Sequence, residues 1–464
     1  MRKRVAVVGG GIAGLAAAVR LRDRAPSDTE IIVYEQSGAL GGKLRTGELG
    51  GVAVERGAES FLVGAPDGGE SAAVLFARRL GLGHALVHPD PVPAALAIGG
   101  RMEPVPAGTL LGVPADVAQL GGVAEPAADA DRDEGRPLLA AGDDVAVGEL
   151  VRARYGDAVA DHLVDPMLGG VYAGRADRLS LAATMPALAQ AAQSEHTLAG
   201  AVRAAQAAAV RVPGRPIFAA IDGGLGKLVA AAAAASGARL SLGLPVRELA
   251  RTARGWRLLL GPVPAPQTDD VDAVVLAVPA GAAARLLTGV DAGAAAAVGV
   301  LDYASVALVG LALPPGTPLP ELSGFLVPAT EGTLVKAATF VTRKWTHLRR
   351  DGGPMIVRAS IGRAGEEERL QRDDGFLAGQ AHAELGALLG IPLPAPTASW
   401  VQRWGGGLPQ YAPGHLARVA AARAALAELA GIALAGAAFD GVGIPACVAS
   451  GETAAENVLK SLED

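Results

Sequence analysis

Apolar positions along this chain change rhythm several times, and each change marks an element. Val5-Ala6-Val7-Val8 is an unbroken apolar run, too short for a helix, and predicts a buried strand. Glycines 9, 10, 11 and 14 come next, and from Ile12 to Leu21 the apolar residues recur at helical spacing until Ala25-Pro26-Ser27-Asp28 ends the pattern. Ile31-Ile32-Val33-Tyr34 is a second buried strand. Strand, glycine turn, helix and strand within about 30 residues predict a parallel pair joined by a right-handed crossover.

Further along, residues 121–144 lack any apolar period and predict a loop, while 145–210 read as mainly helical and alanine-rich. The stretch Ala219 to Ala235 enters a helix through Asp222-Gly223-Gly224. Arg239 to Leu249 and Trp256 to Leu260 alternate as strands do, and Val271 to Val278 is a fully apolar strand closed by Pro279. Val306–Leu313, Gly324–Pro328, Val335–Thr342 and Met355–Ile361 predict an antiparallel sheet, with a helix from Gly375 to Leu389 behind it. Ile432–Ala435 is the last strand and Pro445–Leu459 the last helix. The fold class is therefore α/β joined to α+β. A Rossmann-type nucleotide-binding domain is assembled from 1–85, 210–285 and 415–464, with a helical domain at 90–205 and a mixed-sheet substrate domain at 290–410 inserted. The active site is expected where the three meet.

Composition narrows the function. Half of the 464 residues are hydrophobic and 19% are charged, which excludes a disordered chain; 63 glycines and 31 prolines show no collagen-like period. The formal charge of −6 provides no chain-wide footprint for nucleic acid. A single cysteine, Cys447, excludes an intramolecular disulfide and multi-cysteine metal or iron–sulfur sites; no metal is expected, and the usage suits a reducing cytosol. Met1-Arg2-Lys3-Arg4 and the apolar run behind it imitate a secretory signal, but the glycines fall where a signal wants helix formers. The uncharged stretch Tyr303–Pro320 contains Pro314, Pro315, Pro318 and Pro320, so it cannot be an unbroken spanning helix. Membrane contact, if any, would be peripheral.

Gly9-x-Gly11-x-x-Gly14 lies between strand and helix, and Glu35 ends the next strand 21 residues beyond Gly14. Glycines there let backbone approach a pyrophosphate, the helix N-terminus offers free N–H groups around Gly10, Ile12 and Ala13, and Glu35 can accept from ribose hydroxyls. Leu40-Gly41-Gly42-Lys43-Leu44-Arg45-Thr46 and Glu55-Arg56-Gly57-Ala58-Glu59-Ser60-Phe61 follow in order. A nicotinamide unit needs no second glycine pair, whereas these two segments resemble those of FAD enzymes of the amine-oxidase and p-hydroxybenzoate-hydroxylase kind. Taken singly, Arg45 could be a surface arginine and Glu59 a helix-capping acid. Near the C-terminus, Gly441-Val442-Gly443-Ile444-Pro445 is a glycine turn with proline at the helix start, aimed at the pyrimidine end of a flavin, where charge develops on reduction. Cys447 is expected to be a buried small residue, not a covalent attachment, so the FAD is non-covalent.

Segments in the middle of the chain are more specific. Gly99-Gly100-Arg101-Met102-Glu103-Pro104-Val105-Pro106, Asp165-Pro166-Met167-Leu168-Gly169-Gly170-Val171-Tyr172-Ala173-Gly174, Gly324-Phe325-Leu326-Val327-Pro328, Lys344-Trp345 and Leu408-Pro409-Gln410-Tyr411 with Gly414-His415 resemble the FAD-dependent protoporphyrinogen and coproporphyrinogen III oxidases of haem synthesis. The resemblance covers most of the chain. It implies three two-electron oxidations of a porphyrinogen, hydride leaving a methine-bridge carbon for the flavin, and oxygen reoxidising the flavin to release peroxide. It also implies FAD contacts at Gly9 to Gly14, Glu35, Gln36, Gly42, Lys43, Gly57 to Ser60, Val246 and Val442 to Ile444. Gly324 and Leu326 would line the macrocycle face opposite the flavin, with Tyr172 and Arg45 as further substrate candidates, and the next haem-synthesis enzyme would be a transient partner. No side-chain base is dictated, and His415 reads as structural.

A porphyrinogen carries propionates, four in the copro form and two in the proto form, so an acidic protein must gather positive charge at the pocket mouth. Arg45, Arg175, Arg178, Arg343, Lys344, Arg349 and Arg350 are the candidates. Where many relatives carry a basic residue after a Ser-Phe-Leu segment, Gly64-Ala65-Pro66-Asp67 stands here. The absence of a membrane segment favours coproporphyrinogen III. Amine oxidases of this fold would need an aromatic cage that 4 Trp, 5 Tyr and 7 Phe scarcely supply, desaturases lean on membranes, and a non-catalytic escort protein would let the two flavin turns decay.

Overall fold

The structure, a computed structural model, describes residues 2–128, 131–210 and 212–463. Met1 and Asp464 of the predicted nucleotide domain, residues 129 and 130 of the predicted loop, and Arg211 lie outside the described residues. Five parallel strands form the first sheet, in the order Arg239–Leu242, Glu30–Glu35, Arg4–Val8, Ala273–Leu276, Ile432–Leu434. Val5, Ala6, Val7 and Val274–Leu276 are fully buried, as strands covered on both faces must be. The helix predicted from Ile12 spans Ile12–Arg24 and packs along the C-terminal helix Ile444–Glu463, so tightly that a Cβ on Gly451 would sit 2.0 Å from Ala13 O.

A second, seven-stranded sheet runs Ala398–Pro409, Tyr303–Leu313, Met355–Ile361, Val335–Phe340, Gly324–Leu326, Ala94–Ile98, Arg101–Pro104. It is antiparallel as predicted, except that Gly324–Leu326 and Ala94–Ile98 pair in parallel. Ala94–Ile98 and Arg101–Pro104 come from the stretch read as the start of the helical domain. Their apolar face, Ala95 and Ala97, joins the sheet core with Phe325 and Val357. Phe218–Ile221 is a strand that the sequence did not announce; after the Asp222-Gly223-Gly224 turn the expected helix spans Gly226–Ser236. The region read as Arg239–Leu249 divides at Gly243, whose φ is +67°, into a parallel strand and the first strand of the meander Val246–Thr252, Gly255–Leu260, Gln267–Val271. Short helices between Val147 and Ala208 form the third body, around Leu163, Leu168, Leu179 and Leu188. Among the described residues no helix is long and apolar enough to cross a membrane.

Candidate active site

The C-terminal edge of the parallel sheet carries the glycine turns, where open α/β sheets bind nucleotides. Gly9 has φ +107° and a Cβ there would lie 2.3 Å from Ala277 O, while a Cβ on Gly14 would lie 2.0 Å from Gly9 O. These two glycines are imposed by backbone packing. Gly11 is different: it caps the helix Ile12–Arg24, and a Cβ on it would meet nothing within 4 Å. Gly42 faces the same opening, its nearest neighbour being Gly11 Cα at 3.5 Å. The two turns are tied by Gly41 N–H donating to Gly10 O at 2.8 Å. Open space before glycines at a helix N-terminus fits a dinucleotide's pyrophosphate.

Glu35 stands at the end of its strand, half-buried, accepting from Gly10 N–H and Ser37 N–H, each at 2.8 Å, with Gln36 exposed beside it. Leu244 N–H donates to Glu35 O at 3.0 Å, which brings Val246 to the same corner. Ile12 and Ala13 are buried in the first helical turn. Val442 and Gly443 precede the second helix N-terminus, and Ile444 is buried at its start. Cys447 is buried one turn on, its Sγ 3.6 Å from Gly441 O; burial pushes its thiol up to about 11, so it stays protonated.

The Glu55–Ser60 segment links the two sheets. Gly57 must be glycine because a Cβ would fall 1.9 Å from Lys43 O, and Ala58 N–H donates to that same carbonyl at 3.0 Å. Both acids of the segment have structural tasks. Glu55 Oε1 accepts Leu225 N–H at 2.6 Å at the start of the helix Gly226–Ser236 and also bonds Thr46 Oγ1, which accepts from Gly226 N–H at 2.9 Å. Glu59 lies 2.6 Å from Lys344 Nζ, 2.6 Å from Arg358 Nη2 and 2.9 Å from Trp345 Nε1. Burial alone would raise its carboxyl, but Arg358 and Lys344 outweigh that and hold it at about 2. The Glu59 carboxylate is thus committed to the second sheet. Arg358 also donates to Glu55 O and Gly57 O, both at 3.1 Å, and Trp404 Nε1 to Arg56 O at 2.7 Å. Desolvation lowers the pKa of Lys43 on the adjoining turn.

On the other side, Gly324 would place a Cβ 2.1 Å from Ala338 O, so strand packing alone demands this glycine. Leu326 is half-buried, and its Cδ2 lies 3.2 Å from where a Gly170 Cβ would be. Tyr172 stacks edge-on against Tyr411 with ring centroids 5.7 Å apart, and Tyr411 OH donates to Ala437 O, just before the Val442–Ile444 turn. Leu326 and Val442 both pack against the cluster that contains Tyr172 and Tyr411. Leu326, Tyr172 and Val442 thereby share one apolar cluster. His415 lies against Tyr411 at 4.4 Å, buried, its pKa lowered to about 4 by desolvation and then by Arg418; it is a neutral packing residue.

Several of the propionate candidates are already engaged. Lys344 holds Glu59, Arg343 holds Glu321 at 2.6 Å, Arg175 lies 3.5 Å from Asp165, and Arg349 donates to Thr342 O at 3.3 Å. Arg45, Arg178 and Arg350 form no ion pair among the described residues. Arg45 lies over the Trp404 ring at 5.8 Å, next to the Lys43 turn. Arg358, Trp404 and Lys336 escaped the sequence reading because their contacts join segments far apart in the chain. Among the described residues no group of three His, Cys, Asp or Glu is placed to hold a metal ion.

The flavin containing amine oxidoreductase family matches residues 12–459. A coproporphyrinogen III oxidase of Mycobacterium tuberculosis is 36% identical over 98% of this chain and 97% of its own. The Bacillus subtilis protein of the same name is 30% identical over 99% of both. Among solved structures, an Exiguobacterium chain described as a protoporphyrinogen oxidase superposes with a TM-score of 0.82 at 29% identity, covering all of both chains.

Proposed function

We propose, from the premise that this chain belongs to the flavin containing amine oxidoreductase family, that it oxidises coproporphyrinogen III to coproporphyrin III with non-covalent FAD, oxygen accepting the electrons and leaving as hydrogen peroxide. The observation that carries this reading is the convergence of Leu326, Tyr172 and Val442 on one cluster beside the second helix N-terminus. The choice of the tetracarboxylate rests on the names of the Mycobacterium and Bacillus relatives. The Exiguobacterium chain keeps protoporphyrinogen IX as the second reading.

FAD, when bound, supplies the hydride acceptor for each of three two-electron steps. In this reading the backbone of Gly9, Gly10, Gly11, Ile12, Ala13 and Gly14 holds the pyrophosphate, Glu35 accepts from the ribose, and Gln36 and Val246 flank the adenine. Gly42, Lys43, Gly57, Ala58, Glu59 through its backbone, and Ser60 border the ring system, and Val442, Gly443 and Ile444 offer a helix N-terminus to its pyrimidine side. Gly324, Leu326 and Tyr172 orient the macrocycle and keep water from the reacting carbon. Arg45 receives a propionate at the mouth. In this reading the nucleotide, helical and substrate domains meet there, and the porphyrin leaves for the next haem-synthesis enzyme by transient contact in the cytoplasm. Porphyrin fluorescence appearing when the purified yellow protein meets coproporphyrinogen III in air tests the reading; flavin present without oxidation of either porphyrinogen would refute it.

A further inference from the structure

Two cations are buried in the seam between the helix Asp165–Tyr172 and the second sheet: Lys336 is 6% exposed and Arg363 5%. Lys336 sits where the register of Val335–Phe340 slips, between Val335 and Ala337, and its Nζ reaches across to Gly169 O at 3.3 Å. Among the described residues no carboxylate lies within ion-pair distance of it. From the turn after Met355–Ile361 the charged neighbours are Arg363, whose Nη1 is 3.8 Å from Glu366, and Arg369, 3.7 Å from the same acid. From the helix side they are Asp165 and Arg175, 3.5 Å apart. Each acid is therefore already shared with an arginine. Burial first, and Arg363 second, lower the Lys336 ammonium to about 7, with Glu366 opposing.

This seam joins the two pieces that carry the substrate-face candidates. Tyr172 is on the helix that presents Gly169 O, and Leu326 pairs with Ala337, the neighbour of Lys336. Other carbonyls of that helix end are held by groups that do not titrate near neutral pH: Tyr172 O accepts from Gln410 Nε2, and Ala173 O from Ala364 N–H, each at 2.8 Å. Lys336 is the one contact there, among the described residues, whose charge can change.

We propose that Lys336 is a positioning residue of the substrate face, coupling the uptake of one proton to opening of the seam between the Gly169–Tyr172 turn and the strand that carries Leu326. The sign follows from linkage. With the seam closed the amine is buried and holds a proton weakly; with the seam open it is hydrated and behaves as an ordinary lysine. Acid therefore favours the open form. Between about pH 7 and the ordinary value of 10.5, each rise of one pH unit closes the seam about tenfold; below pH 7 the amine is charged in both forms and the balance stops changing.

The inference rests on the reading of Tyr172 and Leu326 as substrate-facing, and the test separates the two. Hydrogen exchange of the amides at 169–173 is followed in the flavin-loaded full chain, corrected for the intrinsic pH dependence of exchange. The opening of the wild-type seam is expected to fall about fiftyfold from pH 7, where the closed-form amine is half-titrated, to pH 9. Lys336→Met is expected to remain closed with no pH slope, and Lys336→Arg to stay as open at pH 9 as wild type is at pH 7. A flat wild-type profile overturns the proposal without any variant having to fold, and so does a Met variant that keeps the slope. KM for coproporphyrinogen III, measured over the same range, is expected to follow the exchange profile while kcat does not. A pH slope in exchange with an unresponsive KM would uphold the proton-coupled seam and overturn the substrate-facing role of Tyr172 and Leu326.

Discussion

The nucleotide edge of the first sheet and the seam against the second sheet are built from different materials. At the nucleotide edge the work falls to backbone: glycines 9, 11, 14 and 42 and two helix N-termini. At the seam it falls to long charged side chains that cross between segments, Glu59 to Lys344 and Arg358, Arg363 to Val327 O, and Lys336 to Gly169 O. Backbone presents the same donors whatever the solution pH, and at Gly9 and Gly14 it tolerates no added Cβ. Buried side-chain charges respond to protonation and fail when one partner is removed. The first region should therefore break by steric change and the second by change of charge.

The largest effect is expected from Gly9→Val. A left-handed φ and a backbone oxygen 2.3 Å from the new Cβ leave no room to relax. A loss upwards of about 4 kcal/mol in denaturant unfolding is expected, with protein that purifies colourless. Glu59→Gln comes next. It leaves Arg358 and Lys344 without their counter-charge in a buried site, at a cost of about 3–5 kcal/mol. Wild type adds a pH signature at this residue. The folded carboxyl lies near 2 against an ordinary 4.5, so its stabilising share, about 3 kcal/mol, is complete above pH 4.5 and is lost as pH falls toward 2. Acid titration of unfolding should show this loss in wild type and not in Glu59→Gln.

Smaller effects sharpen the comparison at its margins. Arg45→Ala removes a cation stacked on Trp404 and free of any ion pair among the described residues; KM for the tetracarboxylate should rise about fivefold, near 1 kcal/mol, with a weaker salt dependence. An unchanged KM would move the propionate contact elsewhere. Cys447→Ala should alter stability by about 1 kcal/mol or less, and acid-denatured protein should release all its flavin in both forms, since the thiol is buried and protonated. Flavin retained on the wild-type chain alone would show a covalent bond.

The same contrast explains what could be read from the chain. Met355–Ile361 has the bounds its apolar alternation predicts, and the strands at Val5 and Ile31 with the helix between them are where the glycine fingerprint puts them, because each is set by neighbours in sequence. Ala94–Ile98 and Arg101–Pro104 fell inside the stretch read as the helical domain; the two form a local hairpin, but what puts it in the second sheet is pairing of Ala94–Ile98 with Gly324–Leu326, some 230 residues on. Ala398–Pro409 went unseen for a similar reason: Gly405-Gly406-Gly407 breaks its pattern, and pairing with Tyr303–Leu313 holds it in the sheet. Glu59 was visible as part of a flavin-facing motif, yet its partners Lys344 and Arg358 lie almost 300 residues away, and no local spacing announces such a contact. Lys336 looked like any strand lysine until its burial was known.

The most direct test of the central claim offers the flavin-loaded protein coproporphyrinogen III and protoporphyrinogen IX in parallel, in air, at several salt concentrations, and follows porphyrin fluorescence. The account predicts faster oxidation of the tetracarboxylate, with an advantage that shrinks as salt rises and screens the cations at the mouth. Equal rates independent of salt would contradict the tetracarboxylate assignment, and a yellow protein that oxidises neither would contradict the porphyrinogen reaction itself.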